Sequence, residues 1–158
     1  METRDDHQPA AILKSTVPEW ARRAAVHPSG WHQGGATRPR VAVVGPCAAG
    51  KTTLVAALHA RGYDAHAVAQ EHSGVPYLWQ LGEPDLLIFL NVALAAIMRR
   101  REREWPRDLY AAQQARLANA RQHADLYLDT SALSATEVAA RASDFLAARP
   151  APPTADRG

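Results

Sequence analysis

Cysteine is nearly absent from the 158 residues: only Cys47 occurs, so no internal disulfide can form. A lone thiol also argues against a cysteine-based zinc site. Lysine is almost as scarce, since just Lys14 and Lys51 stand among the 18 basic residues and the others are arginine. No apolar run approaches the roughly 20 residues of a membrane helix. The run Leu86 to Leu90 is strand-sized. The first residues carry Arg4, Asp5 and Asp6 and no apolar block, so a secretory leader is not expected and the expected compartment is cytoplasmic. A formal charge of +2, without a basic patch interleaved with aromatics, argues against a nucleic-acid partner. No period of 20–50 residues repeats, which excludes a solenoid. What remains is an ordinary balance, 47% hydrophobic and 22% charged, sufficient for one domain with one core.

Against that background one stretch stands out. Arg40 to Val44 is a β-branched apolar run, and Gly45-Pro46-Cys47-Ala48-Ala49-Gly50-Lys51-Thr52-Thr53 follows it. The spacing Gly-x-x-x-x-Gly-Lys-Thr predicts a strand, a loop whose N–H groups face phosphate oxygens, and the first turn of a helix. Gly45 lets the chain leave the strand, and Gly50 lets it curl into the helix. The helix N-terminus adds partial positive charge. Lys51 would reach the β- and γ-phosphates, and the Thr52 hydroxyl would ligate Mg²⁺. In a chain that uses arginine by default, the lysine falls where a compact ammonium is needed. The expected ligand is therefore ATP with Mg²⁺. Cys47, inside the loop, is expected to be passive, although its modification would block nucleotide binding.

Along the chain, residues 1–39 lack a core pattern and read as a flexible extension; 40–149 form the domain, and the proline-rich 150–158 a loose tail. Strands are expected at about 40–45, 64–69, 85–90 and 125–129. Helices are expected from Lys51 to about Arg61, with Gly62 as left-handed stop, from Ala93 to Glu104, from Asp108 to about Gln122, and after Ser134. Ser134 and Glu137 make a capping-box pattern, with Leu133 and Val138 as its staple. Strands alternating with helices predict an α/β fold: three layers, α/β/α, around a short parallel sheet of about four to five strands.

In such a sheet ligands lie beyond the carboxyl ends of the strands, which sorts the acidic residues. Asp64 and Asp85 open their strands and lie at the wrong edge. Glu71, just past the second strand, is the first choice for holding the metal's water shell or for taking a proton from an acceptor hydroxyl. His72 and Ser73 stand beside it, as acceptor contacts or as packing. Asp129-Thr130 is better read as a turn cap. Arg99 and Arg103 are expected on one helical face, with Arg100 beside them and Arg107 beyond the Trp105-Pro106 hinge. They would close as a lid over the transferred phosphoryl group; the plain alternative is a solvated charged face.

These residues together resemble the small nucleoside and metabolite kinases of the P-loop NTPase superfamily. Gly45 to Leu54 is similar to their phosphate loop, Pro84 to Leu90 with Arg99 and Arg103 to their strand-to-lid segment, and Ala124 to Thr130 to their closing strand. The resemblance implies a P-loop NTPase fold over about 40–148 and transfer of the γ-phosphoryl of ATP to a small acceptor. Only about fifteen residues separate Glu71 from the third strand, so the acceptor region is reduced, and no acceptor signature can be placed. A GTPase would need Asn-Lys-x-Asp, which two lysines in these positions do not allow. The second reading is a module or ATPase that binds nucleotide with no phosphoryl acceptor.

Overall fold

The computed structural model describes residues 39–149. The expected extension, Pro39 apart, and the expected tail lie outside the described residues. Within them run β1 (Arg40–Val44), α1 (Lys51–Ala60), β2 (Asp64–Ala67), β3 (Leu86–Asn91), α2 (Leu94–Arg101), α3 (Arg107–Arg116), α4 (Ala118–His123), β4 (Leu126–Asp129) and α5 (Ala135–Ala147). Two 3₁₀ segments, Gln70–His72 and Leu78–Gly82, bridge β2 to β3.

All four strands are parallel, in the order β2-β1-β3-β4. A strand with a neighbour on each side must be apolar on both faces, and Val41 to Val44 and Leu86 to Leu90 are fully buried. Because side chains alternate along a strand, β1 and β3 serve two cores. Ala42, Val44, Leu87 and Phe89 pack with Trp79, Leu117 and Ala120. On the other side belong Leu54 and Leu58 of α1 and Val138, Ala142 and Leu146 of α5, all buried, with α1 packed on α5. This is an α/β arrangement consistent with three layers. Among the described residues no helix is long and apolar enough to cross a membrane.

Three boundaries depart from the sequence expectation. The helix over 93–104 ends at Arg101, because Glu102 takes a left-handed conformation (φ 54°) and the Arg103 N–H returns to the Met98 carbonyl. That reversal buries the Trp105 ring, with Arg101 and Arg103 guanidinium groups 5.2 and 5.5 Å from its centre. The helix expected from Asp108 instead starts after Pro106 and divides at Leu117, a turn residue (φ −93°, ψ −2°) whose side chain enters the core. The second strand stops at Ala67, with one further bond just beyond it, from the Val68 N–H to the Val43 carbonyl.

Candidate phosphate-binding site

β1 ends against β3, and the loop geometry follows from that crowding. A Cβ on Gly45 would lie 2.1 Å from the Leu90 carbonyl oxygen, so only glycine lets the chain turn here. Ala48 (φ 64°) and Gly50 (φ 99°) are both left-handed, and between them the loop curls into α1. Holding alanine in that region costs of order 1–3 kcal/mol, strain of the kind concentrated at functional loops.

The loop's carbonyls are engaged one by one. The Lys51 ammonium donates to Gly45 O at 2.7 Å and Pro46 O at 3.1 Å. Arg100 donates to Ala48 O at 2.6 Å, and Thr130 Oγ1 to Ala49 O at 3.1 Å. Gly50 O accepts the first helical bond, from Leu54 N–H at 3.0 Å. By contrast, the N–H groups of Gly50, Lys51, Thr52 and Thr53 donate to no other described residue. No side chain caps α1, and its first turn holds no acidic residue. The rim is therefore rich in donors, which is the requirement for taking an anion.

Glu71 is brought to this loop. The 3₁₀ turn that carries it is held by fully buried Gln70, which donates to Val75 O and accepts from Trp79 N–H, and by Arg116, which donates to Glu71 O at 3.2 Å. Glu71 is buried, and its Oε2 takes the third Lys51 donor at 2.8 Å. Its Oε1 is buried without a hydrogen-bond partner. His72 Nε2 lies 3.5 Å from Glu71 Oε2 and 3.6 Å from Cys47 Sγ. Ser73 is spent locally, accepting from Val75 N–H.

Of the arginines expected to form the lid, Arg100 reaches the loop: besides Ala48 O it donates to the Thr130 carbonyl and hydroxyl. Arg99 donates to Ser131 O at 3.3 Å. Arg103 sits past the end of α2 on Trp105, so it shares no helical face with Arg99. Beside the loop lies a cavity of about 210 Å³, lined by residues including Ala48, Gly50, Thr53, Arg100, Leu133 and Val138.

The remaining acids have other duties. Asp85 Oδ2 accepts from Arg40 N–H at 2.9 Å, and Asp64 pairs with Arg40 at 3.6 Å, both at the opposite end of the sheet. Asp129 Oδ1 accepts from Ser131 N–H, the turn-capping role; the Ser131 hydrogen bonds hold its carboxyl below the usual range.

Gln113 was not picked out from sequence. Fully buried on α3, it accepts from Cys47 N–H at 3.1 Å and donates to Cys47 Sγ at 3.2 Å. Its signal was there: an amide four residues before Leu117, on the stripe that faces the core. Thr130, also buried, does more than the turn-capping its sequence suggests: it ties β4 to the loop. No protein-family model matches the chain, and no curated protein matches it.

Proposed function

We propose that this chain binds ATP through the Gly45–Thr53 loop, as a P-loop NTPase-like protein, and transfers the γ-phosphoryl group to a small hydroxyl- or phosphate-bearing acceptor. The observation that carries the reading is the loop's division of labour: carbonyls occupied by Lys51, Arg100 and Thr130, N–H groups of Gly50 to Thr53 free at an uncapped helix start. A triphosphate supplies the acceptors that those donors lack.

The lysine's role follows from counting. An ammonium has three donors, and Gly45 O, Pro46 O and Glu71 take them all. Two of these anchors belong to the loop itself. Glu71 is the exchangeable one: a phosphate oxygen replaces it on Lys51, and the carboxylate is released toward the acceptor side. Freed from the ammonium, it takes the proton of an acceptor hydroxyl. The cavity beside the loop, about 210 Å³, is below the roughly 300–1,000 Å³ of sites that engulf a whole ligand. It suits the flat base alone, with the Arg100 guanidinium at its edge and Leu133 and Val138 as apolar wall.

Mg²⁺ fits the residues present. It takes hard oxygen donors, and Thr52 in the first turn of α1 and the partnerless Oε1 of Glu71 are such donors. When bound, the ion neutralises charge between the β- and γ-phosphates. The compartment that goes with this reading is the cytoplasm.

Calorimetric titration with ATP and Mg²⁺ tests the binding. Wild type and Glu71→Gln should bind, and the double variant Lys51→Ala/Glu71→Gln should not. Absence of binding to wild type would sink the proposal. Turnover is then measured against pooled nucleosides and small hydroxylated metabolites. Consumption with one pool, lost in Glu71→Gln, identifies the kinase; tight binding without consumption in any pool assigns the chain to nucleotide-binding modules instead.

A further inference from the structure

Cys47, Glu71 and His72 come from two separate segments, and the fold brings one ligand atom of each within 4.8 Å of the others. We propose that these three side chains form a binding site for a thiophilic divalent cation of the zinc or cobalt type, with a fourth position open to water.

The distances carry the argument. A tetrahedral ion with a sulfur ligand at about 2.3 Å and a nitrogen at about 2.0 Å holds those atoms about 3.5 Å apart. Cys47 Sγ and His72 Nε2 are 3.6 Å apart. A nitrogen and a carboxylate oxygen on the same ion stand about 3.3 Å apart. His72 Nε2 and Glu71 Oε2 are 3.5 Å apart. Two edges of a coordination tetrahedron are thus in place, and the third, between Cys47 Sγ and the Glu71 carboxylate, is no longer than 4.8 Å. Glu71 supplies the second, independent sign: it is 4% exposed, and its Oε1 is buried without a partner. That oxygen gains a partner when the carboxylate chelates a cation through both oxygens, Oε2 being the one beside His72.

The surroundings also suit such a site. Gln113 clamps Cys47 from behind, accepting from its N–H and donating to its sulfur, so the thiol's direction is fixed by a fully buried amide. Outer partners of this kind orient a ligand for its metal. His72 is backed by its own N–H bond to Ala69 O and is largely exposed, which leaves a coordination position facing solvent. Thiolate and imidazole select against Mg²⁺ and Ca²⁺ and for softer ions. On binding, the Cys47 thiol gives its proton to solvent and the His72 ring carries its proton on Nδ1, so Sγ and Nε2 both face the ion. A single cysteine cannot build a zinc site alone, which is why the sequence argued against one; the 3₁₀ turn after β2 provides the other two ligands.

Lys51 is the opponent. Its ammonium holds Glu71 Oε2 at 2.8 Å and repels a second cation, so the site is a regulatory or opportunistic one of moderate affinity, unlike a closed structural site. The site shares Glu71 and the Cys47 loop with the nucleotide reading, but no nucleotide enters its test, so the failure of one is distinguishable from the failure of the other.

The test titrates the full chain with Co²⁺ under reducing conditions and follows the thiolate-to-cobalt charge-transfer absorption. With only one cysteine in the chain, that band reports on Cys47 alone. The expected result is one Co²⁺ per chain, displaced by Zn²⁺, with affinity reduced about tenfold or more in both His72→Ala and Glu71→Gln. His72 is exposed, so His72→Ala should fold, and circular dichroism checks both variants. No band in wild type overturns the proposal. So does a band whose affinity neither substitution changes, because Cys47 would then bind the ion without these partners.

Discussion

Lys51 and Glu71 form a pair that is nearly dry, with side chains 13% and 5% exposed. Removing one partner of such a pair leaves the other charge buried, at a cost of about 3–5 kcal/mol. Lys51→Ala is therefore no pure binding variant, as the sequence alone would suggest. It should lower unfolding stability by about that amount in urea, and adding Glu71→Gln should recover a large part of the loss. Equal stability of Lys51→Ala and wild type would mean that the ammonium is dispensable to the loop. Two glycines of the same loop separate steric from conformational need. Gly45→Ala sets a Cβ 2.1 Å from the Leu90 carbonyl oxygen, a backbone atom at the sheet's centre that cannot step aside. The cost should reach about 3 kcal/mol or more, the upper end of overpacking. Gly50→Ala meets nothing within 4 Å and carries only the strain of φ 99°, roughly 1–2 kcal/mol. Chemical denaturation of the two variants should reproduce that order.

Elements differ in how far their own residues announce them. In α5, the Ser134 hydroxyl accepts from Glu137 N–H at 3.0 Å and Glu137 Oε1 accepts from Ser134 N–H at 3.2 Å, as the capping-box pattern anticipated. Ser134→Ala should cost about 0.5–2 kcal/mol and lower the melting temperature by a few degrees. The strands were legible because β1 and β3 are buried on both faces and have continuous apolar sequences. Glu71 was legible because the polarity of a parallel sheet tells which strand ends meet. Arg100 was not. Its reach to Ala48 O depends on where α2 stops, and α2 stops at Arg101 because the chain must turn back to bury Trp105. Nothing local to Arg99–Arg103 distinguishes the arginine that touches the loop from those on the indole. Gln113 was hidden for a related reason: its partner Cys47 lies 66 residues away. From these contacts Arg100→Ala should weaken ATP binding several-fold in a calorimetric titration, whereas Arg103→Ala should change it little. The opposite order would restore the lid expected from sequence.

On the scale of the whole domain, three groups away from the loop carry a pH response. Burial pushes the His66 imidazole below its ordinary 6.5, with Arg40 adding to the effect and Asp64 opposing it. A histidine held below its unfolded value favours the neutral ring, so its contribution is complete above pH 6.5. It is lost as pH falls below that, because the unfolded chain then binds the extra proton. Asp129 acts in the same direction at lower pH: its contribution is present above 3.8 and lost as pH falls further, and it is the weaker because the group is exposed. Tyr110 works at the other end. Burial raises its phenol above the ordinary 10.0, and its hydroxyl donates to Val92 O at 2.9 Å, so its contribution is present below pH 10.0 and lost as pH rises past it. Melting temperature should therefore hold a plateau between about pH 6.5 and pH 10, falling on both sides. His66→Gln should flatten the first part of the acid-side fall and leave the alkaline side unchanged, and Tyr110→Phe should do the reverse. If His66→Gln leaves the acid-side curve of wild type intact, the proton uptake that destabilises the fold below pH 6.5 is not on the second strand.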